Sequence, residues 1–308
     1  AGYAGTVDKT AAAATQVNNF FNGPQGYRNM ILHYANLLDD LLGANDAFII
    51  GSELVGITQI RSSAGAGTYP GVNALVTLAA DVSAILPSSV KVGYAADWSE
   101  YHSHRPTDGT NDVIFNMDPL WSSPDIDFIG IDNYLPMSDW RDGSDHLDYD
   151  AVNGPVSIYD RNYLKSNIEG GEYYDWFYAS LADRNSQNRT PIVDGHPANE
   201  PWIYRQKDIR NWWANSHRHR PGGVRNTGTT SYTPSTKPIW FTEFGAPAID
   251  KATNQPNVFY DPKSSESFFP YNSKGTRDDA IQRLYLECFL QYWRDNGGSM
   301  VSIQNCFI

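Results

Sequence analysis

Two glutamates, Glu53 and Glu243, follow short apolar runs at residues 47–50 and 238–241. Glutamate is a poor strand residue and is costly to bury, so one such residue alone would be expected to cap a helix or pair with a buried arginine. Two in the same chain favour catalysis, because hydrolysis of a glycosidic bond uses one carboxyl as proton donor and another as nucleophile or charge stabiliser. We predict that Glu53 and Glu243 form this pair at about 5 to 5.5 Å, the separation found in retaining enzymes.

Two further polar clusters, Asp97-Trp98 and Asp132-Asn133-Tyr134, stand at the ends of apolar runs. In a parallel barrel the catalytic groups lie at the carboxyl ends of the strands, so these five residues are predicted to bind substrate. Asp97, Asp132 and Asn133 would form hydrogen bonds with sugar hydroxyls or alter the reactivity of Glu243. The two aromatic side chains would stack on sugar rings or pack inside the barrel.

Metal and cofactor sites are not predicted. Glu100, His102 and His104 contain possible ligand atoms, but their spacing matches no strong metal-binding motif. Cys288 and Cys306 also lack ligand spacing, and Cys288 falls on the apolar face of a predicted helix, so neither a zinc site nor a disulfide scaffold is indicated. No glycine-rich phosphate loop follows any predicted strand, which weakens the alternative of an open-sheet nucleotide enzyme.

Helical and strand patterns alternate along most of the chain. Apolar residues recur at helical spacing within 11–21, 30–42, 72–86 and 281–292. Short apolar runs predict strands at 47–50, 90–96, 126–131, 238–243 and 300–303. Thr10 and Thr276 are predicted helix N-caps, the second with Asp279 at the capping-box position. Trp240 could stack on a sugar ring or pack the barrel interior, and its place in the middle of a strand favours packing. The alternation indicates a parallel sheet with helices outside, either a closed (β/α)8 barrel or an open sheet.

The alternation of helical and strand patterns is interrupted from about residue 138 to residue 236. These residues are rich in Asp, Gly, Asn and aromatic residues, with helical pieces predicted near 171–183 and 207–214. We interpret them as a long insertion over the cleft within a single domain spanning 1–308. The one basic cluster, at 217–220, is predicted to be a solvated loop.

Composition narrows the class of protein. The chain has 308 residues, of which 41% are hydrophobic, and a net charge of -12, so a nucleic acid partner is disfavoured. No apolar run approaches the about 18 residues of a transmembrane helix, and residues 1–10 show no targeting signal. The chain has nine Trp and 19 Tyr, more than a core of this size needs. The excess is consistent either with sugar binding or with burial of these side chains in protein interfaces.

Several of these segments resemble one known family. The strings FIIGSEL (48–54), YAADWSEY (94–101), DFIGIDNY (127–134) and KPIWFTE (237–243) are similar to the glycoside-hydrolase-like TIM-barrel domain of the tail-tip hub proteins of gene transfer agents and related tailed phages. The likeness continues through DPKSSES (261–267) and GTRDD (275–279). It implies a barrel whose first strands lie before Ala1, with the insertion between the sixth and seventh strands. It also implies a particle tail that contacts or opens the host envelope, with other tail proteins as partners.

The resemblance also implies catalytic roles. The related clan of retaining glycosidases has its acid/base glutamate after the fourth strand and its nucleophile after the seventh, which makes Glu53 the acid/base and Glu243 the nucleophile. The clan usually has Asn before the acid/base, and here Ser52 stands there. Asn199-Glu200-Pro201 spells the expected motif, so Glu200 is the alternative acid. The resulting hypotheses are a retaining glycoside hydrolase acting on envelope polysaccharide or peptidoglycan, and an inactive glycan-binding or structural module.

Overall fold

The computed structural model describes residues 7–62, 68–264 and 267–308, and within them the chain alternates helices and strands. Ser265 and Glu266, part of one family-like string, lie outside the described residues. The helices are α1 (Ala11–Asn22), α2 (Tyr27–Leu38), α3 (Val55–Thr58), α4 (Pro70–Ser83), α5 (Asp118–Trp121), α6 (Arg161–Ser166), α7 (Leu181–Ser186), α8 (Ile209–Ala214) and α9 (Asp279–Asn296). Short 3₁₀ segments are Pro201–Tyr204, Pro221–Gly223 and Ala252–Asn254.

Five of the strands form one parallel sheet. The strands are β1 (Ala47–Ser52), β2 (Lys91–Asp97), β3 (Phe128–Asn133), β4 (Trp176–Phe177), β5 (Thr190–Pro191), β6 (Ile239–Phe244) and β7 (Val301–Cys306). The order in the sheet is β1-β2-β3-β6-β7, whereas β4 and β5 form a separate antiparallel pair. β2 and β3 are buried almost throughout, as expected for strands covered on both faces. The five predicted strands are therefore confirmed.

The described chain divides into two compact units. The first comprises Ala1–Asp132 and Trp213–Trp240, and the second comprises Asn133–Trp212 and Phe241–Ile308. The prediction of a single domain over 1–308 stays a prediction. No helix in the described residues is long and apolar enough to span a membrane.

Helix α4 packs on β1 and β2 in the first unit, and α1 and α2 pack on α4. The Thr10 side chain accepts a hydrogen bond from the Ala13 N–H, so the predicted cap of α1 is confirmed. α4 begins with Pro70, whose fixed φ suits a first helical position, and buries residues such as Leu75 and Leu78 completely. Each buried leucine contributes about 2 kcal/mol of hydrophobic free energy. The apolar face predicted for α2 is only partly buried, since Leu37 remains 56% exposed.

A glycine in β2 makes room for an aromatic stack in the first unit. A Cβ at Gly93 would lie 2.2 Å from the ring of Phe128, so no larger residue fits there. The Phe128 ring stacks on Trp240 at 3.8 Å between centroids. Trp240 thus packs against β3 and is half-buried, and its place in a barrel interior stays a prediction.

Helix α9 supplies much of the core of the second unit. Its Phe289 and Trp293 pack on Phe241 of β6, and Phe289 also stacks on Phe244. The predicted cap is wrong by two residues. Asp278, not Thr276, is the N-cap, and its carboxylate accepts from the backbone N–H three residues further on. Both residue types cap helices well, so the sequence did not distinguish them.

The predicted helix at 171–183 is wrong. Gly171 and Tyr173 have positive φ, which breaks a helix, and the chain continues into β4 before α7 starts at Leu181. A buried ion pair organises this part of the second unit. Arg184 donates two hydrogen bonds to the carboxylate of Glu172, and its guanidinium lies 3.9 Å from the ring centroid of Tyr271.

The basic stretch at 217–220 is also not a solvated loop. His217 is fully buried and Arg220 is 1% exposed. The His217 ring stacks between Phe115 and Tyr232, and its Nδ1 bonds the buried carboxylate of Asp118. These contacts belong to residues distant in sequence, so charge alone was a misleading signal.

Candidate active site

Glu53 lies immediately after β1 in a strained backbone conformation. Its φ is +50°, in the left-handed region that non-glycine residues rarely adopt. Two hydrogen bonds hold the turn: the Glu53 N–H donates to the Ala95 carbonyl at 2.9 Å, and the Leu54 N–H donates to the Tyr94 hydroxyl at 2.8 Å. The Glu53 side chain is exposed. Strain retained by such contacts is typical of functional positions.

This strain predicts that glycine at position 53 gives a more stable protein than alanine. We expect Glu53→Gly to be more stable than Glu53→Ala by about 1 kcal/mol, because alanine pays the left-handed penalty and glycine does not. Urea unfolding of the two purified variants measures the difference.

The matched control is Asn36, an exposed residue inside α2. There the order should reverse, with Asn36→Ala about 1 kcal/mol more stable than Asn36→Gly, because glycine is a poor helix former. Equal stabilities of the two Glu53 variants would contradict a strained turn.

The residue before Glu53 contacts an acidic group of the same unit. The Ser52 hydroxyl donates to Oδ2 of Asp132 at 3.2 Å. Asp132 ends the part of β3 that belongs to the first unit and is fully buried. The hydroxyl before Glu53 is thus engaged with a carboxylate.

Asp97 ends β2 and Trp98 follows it, and both are half-buried. Asp97 Oδ1 accepts from the backbone N–H and the hydroxyl of Ser99, which closes a tight turn. Its role as a sugar-binding residue stays a prediction, as does cleft lining by Trp98.

Glu100 is a buried carboxyl whose sequence position suggested only a possible metal ligand. It is fully buried and accepts hydrogen bonds from the hydroxyls of Thr58 and Tyr94, at 2.5 and 2.9 Å. Its other oxygen accepts from the Asp97 N–H at 3.2 Å. Burial raises the pKa of Glu100 to about 7. Since Tyr94 also holds the Leu54 N–H, Glu100 connects the turn after β1 with the turn after β2.

The sequence did contain a signal for this role. Glu100 stands three residues after Asp97, the spacing at which a glutamate reaches back to a backbone N–H in a capping box. The burial of the carboxyl was not visible in the sequence.

Glu243 lies near the end of β6, in the second unit. It is exposed, and its Oε2 accepts a hydrogen bond from the Tyr134 hydroxyl at 2.7 Å. The neighbouring Asn133 is buried, and its Oδ1 accepts from the Leu135 N–H at 3.1 Å. The structure therefore brings Tyr134 to Glu243, whereas the Asn133 oxygen is used within its own turn.

Glu200, the alternative acid, does not follow any strand of the five-stranded sheet. It precedes the 3₁₀ segment Pro201–Tyr204, and its N–H donates to Asp194 Oδ2 at 2.7 Å. The side chain is half-buried. Glu200 stays a candidate only through its Asn-Glu-Pro motif.

The histidines near Glu100 have other partners. His104 Nδ1 and the Tyr69 hydroxyl are hydrogen-bonded at 3.0 Å, and burial lowers the pKa of His104 to about 4. His102 is buried, and its Nδ1 lies 3.0 Å from the Ser103 hydroxyl. Both histidines therefore form hydrogen bonds within the fold.

Both cysteines are free thiols, and Cys288 is fully buried on α9, the position expected from the helical pattern.

Parallel strands alternating with helices, with polar residues directly after the strands, define an α/β protein of the TIM-barrel type. The chain belongs to the GTA TIM-barrel-like domain family, whose model matches residues 25–306. The predicted fold class and family resemblance are thereby confirmed.

Two solved structures of GH113 β-1,4-mannanases are similar to the chain. One is 13% identical with a TM-score of 0.40, and the match covers 92% of this chain and 50% of that one. The other is 14% identical with a TM-score of 0.39, covering 94% of this chain and 51% of that one. The chain thus spans about half the length of these structures. A comparison with curated proteins gives no match.

Proposed function

We propose that the chain is a retaining glycoside hydrolase acting on a glycan of the host envelope, with Glu53 as acid/base and Glu243 as nucleophile. The observation that supports this most is the hydrogen bond from the Tyr134 hydroxyl to Glu243. It orients one carboxylate oxygen and leaves the other to approach an anomeric carbon. A structural ion pair would instead have paired Glu243 with a cation.

The sequence pattern supports the pairing of the two glutamates. Both follow short apolar runs, and in a parallel barrel the catalytic groups lie at the carboxyl ends of the strands. In the proposed reaction Glu53 gives its proton to the leaving oxygen while Glu243 bonds the anomeric carbon. Glu53 then takes a proton from water as the water releases the sugar from Glu243.

Family membership supports the setting of this reaction. The family name refers to gene transfer agents, and we propose that the barrel is exposed on a particle tail, among other tail proteins. A tail that reaches an envelope must pass its polysaccharide or peptidoglycan, which gives a glycosidase a substrate there. Asp97, Trp98, Asp132 and Asn133 are the proposed substrate-binding residues beside the pair.

The test is release of reducing ends from isolated envelope polysaccharide and from peptidoglycan. The wild-type chain is expected to release them, and the double variant Glu53→Gln/Glu243→Gln is expected to release none. Proton NMR of the first product distinguishes retention from inversion. Inverted product would contradict the roles proposed for the two glutamates.

Metal dependence is tested in the same assay. Glu53, Asp132 and Glu243 have oxygen ligands of the kind that bind Mg²⁺ or Ca²⁺. We propose a reaction without metal, so EDTA should leave the rate unchanged. Loss of activity with EDTA and recovery with a divalent cation would instead make these carboxylates cation ligands.

A glycan-binding module is the second candidate, and Ser52 favours it. Its hydroxyl bonds Asp132, whereas an Asn at this position could bond the sugar 2-hydroxyl that the related clan uses in its transition state. Glycan binding by the wild-type chain without any release of reducing ends would support this candidate.

A further inference from the structure

A cavity of about 410 Å³ lies in the first unit, next to α3. Its wall is formed by Asp8 before α1, by residues 55–61 in and after α3, and by residues 104–108 in the loop after β2. We call it the α3 cavity. Sites for small molecules usually have volumes of about 300 to 1,000 Å³, so the α3 cavity is large enough for a monosaccharide or a disaccharide.

Gln59 supplies an amide that the protein does not use. The residue lines the α3 cavity and is half-buried, and its side chain has no hydrogen-bond partner among the residues that the structure describes. The amide nitrogen donates two hydrogen bonds, and the amide oxygen accepts two. Two neighbouring hydroxyls of one ligand can therefore bond the two ends of this amide.

Asp8 supplies an acceptor that is held in place. Its Oδ2 accepts from Arg61 Nε and Nη2, at 3.0 and 2.5 Å, and its Oδ1 accepts from the Arg61 backbone N–H at 2.6 Å. A carboxylate oxygen has two lone pairs, so Oδ1 can accept one more hydrogen bond. The Asp8 side chain is 40% exposed, whereas that of Arg61 is 3% exposed. A buried guanidinium thus fixes an accessible carboxylate.

His104 supplies a ring nitrogen to the same wall. The residue is 8% exposed, and its Nδ1 is hydrogen-bonded to the Tyr69 hydroxyl, so Nε2 is the nitrogen that remains for a ligand. Burial lowers the pKa of His104 to about 4, so the ring is neutral near pH 7. In a neutral ring Nε2 either donates or accepts. A hydroxyl group can pair with it in both cases.

The charges in the wall are paired within the protein. Arg61 bonds both Asp8 and Asp108, and Lys9 Nζ lies 2.6 Å from Asp108 Oδ2. The other oxygen of Asp108 accepts from the N–H and the hydroxyl of Thr110. Among the residues that the structure describes, none of these groups belongs to a cluster with metal-ligand geometry. The α3 cavity therefore suits an uncharged ligand with several hydroxyls.

The wall also has apolar surface, from Val55, Ile60 and Pro106. A ligand that complements the whole wall combines an apolar face with hydrogen-bonding groups at its rim. A pyranose sugar has this character, because its C–H groups lie on the faces of the ring and its hydroxyls point outwards.

We propose that the α3 cavity binds one or two units of a neutral glycan, with Gln59, Asp8 and His104 bonding the sugar hydroxyls. Val55 stands two residues after Glu53, so the bound sugar would lie beside the turn of the proposed acid/base. The binding does not require hydrolysis, and the site would hold glycan whether or not the chain cleaves it. A single sugar is expected to bind with a Kd of about 1 mM, given the usual affinity per atom for ligands of this size.

The test uses the double variant Glu53→Gln/Glu243→Gln, so that turnover cannot alter the ligand. Glucose, mannose, N-acetylglucosamine, cellobiose, mannobiose and chitobiose are titrated separately and followed by saturation-transfer NMR. At least one of them should show saturable binding. Adding Gln59→Ala should weaken that binding about fivefold, because one or more hydrogen bonds are lost. Adding Thr107→Trp, at an exposed position in the wall, should weaken it at least about tenfold by filling space that the sugar needs.

Gln25→Ala and Thr77→Trp are the matched controls and should leave the affinity unchanged. Both residues are exposed in the first unit, and neither lines the α3 cavity. Three results would overturn the proposal. The first is no saturable binding of any of the six sugars at about 50 mM. The second is equal affinity in the wall variants and their controls, which would place the sugar elsewhere, including at the proposed catalytic glutamates.

The third is binding of glucuronic acid or glucosamine at least about tenfold tighter than glucose, which would mean that the cavity recognises a charge. Hydrolysis is assayed separately on the wild-type chain. Failure of the sugar site would leave the proposed hydrolase testable, and failure of the hydrolase would leave the sugar site testable.

Discussion

Replacing Glu243 with alanine is expected to lower kcat by about 10³-fold or more, and added sodium azide is expected to restore part of the turnover. The loss follows from removing the proposed nucleophile. Azide is small enough to occupy the space left by the carboxylate and can itself bond the anomeric carbon. The leaving oxygen takes its proton from Glu53, so atoms and charges balance without the missing side chain.

The configuration of the azide product assigns the two roles. Glu243→Ala should give a glycosyl azide of inverted configuration, because azide attacks in one step. Glu53→Ala should give a retained product, because azide then releases the sugar from Glu243. Glu200→Ala is the control and should keep wild-type activity. Wild-type activity in Glu243→Ala, or loss of activity in Glu200→Ala, would refute the assignment.

The strands of the sheet could be predicted because their signal is local. A buried parallel strand is apolar on both faces, and β2 and β3 show this as short runs between polar turns. The turn at Glu53, in contrast, could not be predicted, because its signal is not local in the sequence. Its left-handed φ depends on hydrogen bonds to Ala95 and to Tyr94, about forty residues away in the chain.

The segment from about 138 to 236 could not be predicted well, because tertiary contacts override propensity there. A helix was predicted near 171–183, but Glu172 is held by Arg184 and the backbone at Gly171 turns left-handed. α7 and α8 have six residues each. Helices this short are not stable alone, so their limits are set by packing.

The candidate residues themselves were visible as residue types after strands, but their partners were not. Tyr134 was expected to line the cleft, and in the structure its hydroxyl bonds Glu243. Asn133 was expected to bond sugar, and its side-chain oxygen bonds the chain that follows it. In both cases the local turn geometry decides where the side chain points.

The second prediction with a large expected effect is that Glu100 makes the stability of the protein depend on pH. Burial raises its pKa from 4.5 to about 7 in the folded protein. Between these values the folded state holds a proton that the unfolded state has released, so this contribution to stability is lost as pH rises from 4.5 to 7. At about 1.36 kcal/mol for each pH unit, the loss amounts to about 3 kcal/mol.

The Glu100→Gln variant should lack this contribution, because glutamine does not titrate. We expect the free energy of unfolding of the wild type, minus that of the variant, to fall by about 3 kcal/mol over that pH range. Urea unfolding at several pH values measures the difference, and its slope is the test, since glutamine also alters the bond from the Asp97 N–H.

Glu287→Gln is the matched control for this slope. The side chains of Arg283 and Arg161 lower the pKa of Glu287 by hydrogen bonding, so its contribution is present at higher pH and is lost as pH falls. Over pH 4.5 to 7 the difference for Glu287→Gln should therefore stay flat, because its lowered pKa places its change below pH 4.5. A flat difference for Glu100→Gln would mean that Glu100 stays ionised in the folded protein. The network through Tyr94 to the turn of Glu53 would then contain a buried charge, and its effect on that turn would not depend on pH near neutrality.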